Sequence, residues 1–173
     1  RRITTDMEKI IIPALDEERM QEVRAGYAKI DKPAANLGKL EDMVVDLAGM
    51  LGKDFPDKLK TAMVLMCGDH GIAKYGVSAY PQEVTRQMIN GYMRGTAGAT
   101  VLARHAHADV FVCDVGTAFD LSDLPKVYQK KVAWGTNDFT QGPAMTREQA
   151  EKAIAVGIEM ADMCIDQGYN MLY

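Results

Sequence analysis

The run Ala62-Met63-Val64-Leu65-Met66-Cys67, closed by Gly68-Asp69-His70-Gly71, decides the architecture. Its apolar residues follow one another without the alternation of a half-exposed strand. Both faces must therefore be covered, and parallel sheets are where strands are covered on both faces. Val110-Phe111-Val112-Cys113-Asp114-Val115-Gly116 repeats the pattern. Between them, one helix is expected to start at Pro81, a residue suited to a first helical position, and to run through Met93. A second is expected from Ala99 to His105. Strand, helices, strand is a βαβ unit with a right-handed crossover.

Towards the C-terminus a weaker strand is expected around Val127 to Trp134. Gly142-Pro143 then introduces a helix whose Thr146 and Gln149 fit a capping box and whose Ala150, Ile154, Ile158, Met160 and Met163 form the apolar side. Tyr169 to Tyr173 reads as a further strand. Towards the N-terminus the period becomes helical. Met20, Val23, Tyr27 and Ile30 mark a helix from Leu15 to Asp31, ended by Lys32-Pro33. Leu37, Leu40, Met43, Val44, Leu47, Met50 and Leu51 mark the apolar face of a second, capped by Asn36 and stopped by Gly52, and the two helices are expected to pair. The fold expected is α/β: a helical small-domain segment over 1–58, then, over 59–173, part of a doubly wound, mostly parallel, Rossmann-like sheet.

Composition narrows the function. The chain has 173 residues, 47% of them hydrophobic, and a net charge of -4 with both signs interspersed. That is enough apolar material for a core, with no basic stripe for nucleic acid and no polybasic membrane anchor. Small molecules or other proteins are the expected partners. Cys67, Cys113 and Cys164 are widely spaced in apolar surroundings, which suits buried reduced thiols and a cytoplasmic location over a disulfide framework. The chain opens on Arg1 and stops at Tyr173 inside a strand-like run, which reads as a fragment.

Ligands of open parallel sheets bind outside the carboxyl ends of the strands, where loops are free and helix N-termini converge. Asp69, His70 and Gly71 fall at one such end, Asp114 and Gly116 at another. A pocket lined by them is one reading. The other is that each aspartate fastens the turn that follows it. No acidic or cysteine partner completes a tetrahedral set around Cys67 and His70, or around His105 and His107, so no metal is expected. Gly91, Gly95 and Gly98, with Arg94 and Thr96, have the composition of a phosphate cradle, but they follow a helix where such cradles follow a strand, which favours a helix-to-helix turn.

Several ordered segments carry a family likeness: Leu37-Gly38-Lys39-Leu40-Glu41, Met66-Cys67-Gly68-Asp69-His70-Gly71, Gly76-Val77-Ser78 through Pro81, Arg94-Gly95-Thr96-Ala97-Gly98, Asp114-Val115-Gly116 and Gly142-Pro143-Ala144-Met145. Together they resemble the nicotinate-nucleotide:dimethylbenzimidazole phosphoribosyltransferase (CobT) family over almost the whole chain. The resemblance implies transfer of a phosphoribosyl group from nicotinate mononucleotide to 5,6-dimethylbenzimidazole, in cobalamin lower-loop assembly, by a homodimer that needs no cofactor. It also implies a general-base glutamate and a glycine-rich nucleotide loop beyond Tyr173, so that no catalytic residue is expected within the chain. The base-binding residues it implies here are Tyr80, Met88, Asp69, His70 and Gly71. Family members that take benzimidazole carry serine at the position of Tyr80 and glutamine at that of Met88. A phenol and a thioether make a tighter pocket, less able to hydrogen-bond an azole nitrogen. Use of phenolic bases such as p-cresol, and neutral drift at a tolerant pocket, are the two readings of that difference.

Overall fold

The computed structural model describes residues 11–30, 37–52 and 58–173. They fall into two compact units, one holding the first two helices and the other comprising Leu59–Tyr173.

In the smaller unit, α1 (Glu17–Tyr27) is capped by Asp16, whose carboxylate accepts the Arg19 N–H, and it packs on α2 (Lys39–Leu51). The buried face of α2 is Val45, Ala48 and Gly49, not the row of large residues expected from sequence: Leu40, Met43 and Met50 are all exposed. The reason is the closeness of the pair. A β-carbon on Gly49 would lie 2.6 Å from the Met20 sulfur, and the Asp16 N–H bonds to the Gly49 carbonyl at 2.9 Å. Small residues therefore form the seam. The helix-stopping Lys32-Pro33 and the Asn36 cap lie outside the described residues.

The larger unit is a parallel sheet of order β3-β2-β1-β4, built from β1 (Thr61–Gly68), β2 (Asp109–Gly116), β3 (Tyr128–Gln129) and β4 (Met171–Leu172). Between β1 and β2 come a one-turn 3-10 helix (Gly71–Tyr75), α3 (Val84–Arg94) and α4 (Gly98–His105); α5 (Arg147–Asp166) links β3 to β4. The strand path runs outward from β1 through β2 to β3, then returns to the other side of β1, the order of a doubly wound sheet with its switch point beside β1. Alternate side chains serve two cores. Leu65 and Val112 join Ile89, Leu121 and Val127, whereas Val64 and Phe111 join Ala62, Cys164 and Tyr169. Each fully buried aliphatic side chain in these clusters contributes roughly 1.5–3 kcal/mol.

Three expected elements change. α3 begins at Val84, because Pro81 opens a turn in which its carbonyl accepts the Val84 N–H. The third strand keeps only Tyr128–Gln129, although Lys130 and Val132 still bond back to β2. On α5, Met160 and Cys164 are buried while Ile154 is exposed. The capping box forms with both of its bonds, Gln149 N–H to Thr146 Oγ1 and Thr146 N–H to Gln149 Oε1. Thr146→Ala should therefore lower unfolding free energy by about 1 kcal/mol in urea melts.

Candidate functional site

The carboxyl end of β1 is where the sheet opens. A register shift after Cys67 sets Gly68 opposite Gly116, and the Asp69 N–H bonds to the Gly116 carbonyl at 2.9 Å. Both strand-end aspartates fasten backbone. Asp69 accepts the Thr85 hydroxyl at 2.6 Å on one oxygen and the Ala118 N–H at 2.8 Å on the other, tying β1 to α3 and to the loop after β2. Asp114 is fully buried; its Oδ1 accepts the Gly116 and Thr117 N–H groups. Its Oδ2 lies 2.8 Å from the Lys131 ammonium, in an ion pair whose alignment is not that of a hydrogen bond.

Tyr80, Met88, Asp69 and His70 converge on one crevice of about 420 Å3 between the end of β1 and α3, with Cys67 and Tyr92 deeper in its wall. That volume is in the range of small-molecule sites. Tyr80 stands at its mouth, 71% exposed, and Met88 is 41% exposed, so both side chains are available to a ligand. Burial pushes the Cys67 thiol up to about 11, with Asp114 and Asp69 adding to the effect, so it stays protonated and is a poor nucleophile. Burial likewise raises the Tyr92 phenol. Asp69, the only carboxylate lining the crevice among the described residues, has both oxygens engaged. His70, Tyr80 and Tyr92 also line it, so the crevice presents an imidazole and two phenols to a ligand.

Gly71 and Asp114 do not line the crevice. Asp114 lies beneath it, in the sheet. Gly71 packs against the chain at 136–138, where a β-carbon would meet the Asn137 carbonyl carbon and Asp138 nitrogen at 2.6 Å. Gly116 borders a second, smaller hollow of about 140 Å3, which shares the Gly68-Asp69-His70 wall and is closed by Val132, Ala133, Met145 and Gln149. These last residues escaped the sequence reading. The signal for them was Gly135, which bends the chain with a φ of 85° so that the Thr136 N–H reaches the Asp69 carbonyl at 2.9 Å.

Asp138 holds the facing loops together. It accepts the Thr140 hydroxyl, the Tyr75 phenol at 2.9 Å and the Lys74 ammonium at 3.0 Å. These contacts, the Thr140 bond foremost, hold its carboxyl well below the usual carboxylate range. The tether is thus intact above the ordinary aspartate range and is lost as pH falls through the lowered folded value.

The glycine turn after α3 is a helix closure, since the Gly95 and Thr96 N–H groups are spent on the Tyr92 and Gly91 carbonyls. Among the described residues no three metal-ligating side chains come together, and no helix is long and apolar enough to cross a membrane.

The family model described as "Phosphoribosyltransferase" matches residues 12–173. The nicotinate-nucleotide–dimethylbenzimidazole phosphoribosyltransferase of Chloroflexus aggregans is 44% identical over 161 residues, covering 93% of this chain and 46% of its own length. That of Geobacter sulfurreducens is 42% identical over 158 residues, covering 91% and 45%. The crystal structure of CobT from Thermus thermophilus superposes with a TM-score of 0.83 at 41% identity, over 90% of this chain and 46% of that one. The chain spans about half the length of the relatives it matches. By sequence along nearly its whole length and by fold, it belongs to the CobT family of phosphoribosyltransferases.

Proposed function

We propose that this chain forms the acceptor-base wall of an enzyme that transfers a phosphoribosyl group from nicotinate mononucleotide to a lower-ligand base of a cobamide. The supporting observation is the convergence of Tyr80, Met88, Asp69 and His70 on one crevice at the switch point of the sheet. In the reaction one base heteroatom attacks C1′, the bond to the nicotinate nitrogen breaks with its electron pair neutralising the pyridinium, and the base gives up a proton. Taking that proton is general-base work. Asp69 is committed to Thr85 and Ala118, which leaves it ill placed for that work; the family resemblance implies a glutamate for it instead. The isolated chain, given nicotinate mononucleotide and 5,6-dimethylbenzimidazole, should form no product at an enzyme-like rate, and such a rate would refute the assignment. The reading carries with it a cytoplasmic homodimer, supported by family likeness and by three free cysteines.

Tyr80 and Met88 favour a second form of the same activity. A bulky phenol at the mouth and a thioether without a donor on the wall suit a smaller, less polar acceptor such as p-cresol, whose oxygen attacks C1′ and loses its proton. The test is competition between p-cresol and 5,6-dimethylbenzimidazole, on the polypeptide that joins this segment to the remaining half of the family's length. A phenolic product is expected, and Tyr80→Ser with Met88→Gln should move the preference about tenfold or more towards the benzimidazole. Exclusive use of the benzimidazole by the unchanged enzyme ends the phenolic reading.

A further inference from the structure

Two sequence features have no role in the crevice: Arg94 beside the glycine turn, and the His105-Ala106-His107 pair. Arg94 and His107 border one hollow of about 550 Å3 at the amino end of β2, the end of that strand remote from Gly116, and Arg104, Tyr92 and Asp109 share it. Residues 59–173 contain four arginines. Arg86 and Arg147 are paired with Asp123 and Glu151, whereas Arg94 and Arg104 have no carboxylate partner among the described residues. The one carboxylate on the hollow among the described residues, Asp109, is held by the Tyr169 phenol at 2.6 Å. In a chain of net charge -4, two unpaired guanidinium groups on one concavity concentrate positive potential.

Capping of helix ends explains only part of this. Arg104 donates to the Gly95 carbonyl at 3.2 Å, closing α3. The Tyr92, Gly91, Leu102, Ala103 and Arg104 carbonyls are already taken by backbone N–H groups, so Arg94 and the His107 ring are not needed there. His107 is also the one described residue other than glycine with a positive φ, 56°, at the cap of α4 where glycine fits without steric cost. A side chain kept in that conformation is fixed at the rim of the hollow, the kind of retained strain that marks functional positions.

We propose that this hollow binds the phosphate group of a small phosphorylated metabolite. The planar forks of Arg94 and Arg104 meet phosphate oxygens in pairs, as guanidinium groups do, and the His107 ring adds a donor from the side. The hollow is larger than a bare anion, and Tyr92 and Met93 line the space left for the organic part.

Calorimetric titration of the chain with glycerol 3-phosphate, inorganic phosphate and glycerol separates the sources. Saturable one-site binding of glycerol 3-phosphate is expected, weaker binding of inorganic phosphate, and none of glycerol. The double variant R94Q/R104Q should weaken the first by about tenfold or more, whereas R86Q, which removes a paired charge elsewhere, should leave it unchanged. His107→Gly should raise the melting temperature while weakening binding about threefold. Equal weakening by R94Q/R104Q and R86Q would overturn the site in favour of general charge. Unsaturable binding means an adventitious ion only, and inorganic phosphate binding as tightly as the ester removes the metabolite; loss of stability with affinity unchanged reduces the arginines to helix caps.

Discussion

Replacing Gly71 by alanine should destabilise the α/β unit by about 2–3 kcal/mol, by forcing apart two stretches of backbone. The new β-carbon would sit 2.6 Å from the Asn137 carbonyl carbon, 2.6 Å from the Asp138 nitrogen and 2.7 Å from the Thr136 carbonyl oxygen. None of these atoms can rotate out of the way as a side chain would. Relief requires the 3-10 turn at Gly71–Tyr75 to move off the 136–138 segment, which breaks the Gly71 N–H bond to Thr136 Oγ1 and strains the Tyr75–Asp138 bond. His70 and the wall it shares between the two hollows move with that turn, so base affinity should fall along with stability. Urea unfolding of Gly71→Ala beside Gly157→Ala gives the comparison. Gly157 lies inside α5 with nothing within 4 Å of its would-be β-carbon, so alanine there should stabilise by about 0.5–1 kcal/mol. A loss under about 0.5 kcal/mol at Gly71 would show that the backbone contact is not tight.

Lys131→Met should cost still more, about 3–5 kcal/mol, because it leaves a buried carboxylate without its countercharge. Asp114 is fully inaccessible and Lys131 has 17% of its side chain exposed. Besides the ion pair, the Lys131 ammonium donates to the Thr117 carbonyl, to Thr117 Oγ1 at 2.9 Å and to the Phe119 carbonyl at 3.0 Å, and it lies 4.3 Å from the centre of the Trp134 ring. The loop it fastens supplies the Ala118 N–H that anchors Asp69. If the penalty comes from the stranded charge, adding Asp114→Asn to Lys131→Met should recover part of it, since asparagine keeps an oxygen for the Gly116 and Thr117 N–H groups. Equal stability of the single and double variants would assign the cost to the lost loop bonds.

How far the sequence alone leads depends on the range of the forces involved. β1 and β2 are legible because packing against a core on each face writes an unbroken apolar run, and the start of α5 is legible because a capping box is local. The third strand was overread. Beyond Gln129 only the Lys130 and Val132 N–H groups still bond to β2, while the Lys131 side chain reaches Thr117 and Phe119, and Gly135 then turns the chain towards Asp69. The apolar face of α2 was misjudged because hydrophobicity favours large residues, whereas the close approach at Gly49 selects small ones. Of the site, Asp69 could be located from its place after a strand, but its partners Thr85 and Ala118 are long-range and leave no mark in local pattern. Gly71 reads as part of the loop beside a ligand, while its structural duty is to admit backbone 65 residues further along the chain.

The most direct test of the central claim is methyl NMR of the chain carrying 13C-labelled methionine, titrated separately with p-cresol and 5,6-dimethylbenzimidazole. Of the twelve methionines, Met66 and Met88 are the ones that line the crevice among the described residues. Saturable shifts of the Met88 and Met66 methyls are expected with at least one of the two bases, even at a dissociation constant of about 1 mM, while Met20 and Met171 stay still. Binding that leaves Met88 unmoved, or no response to either base at saturating concentration, would contradict the claim.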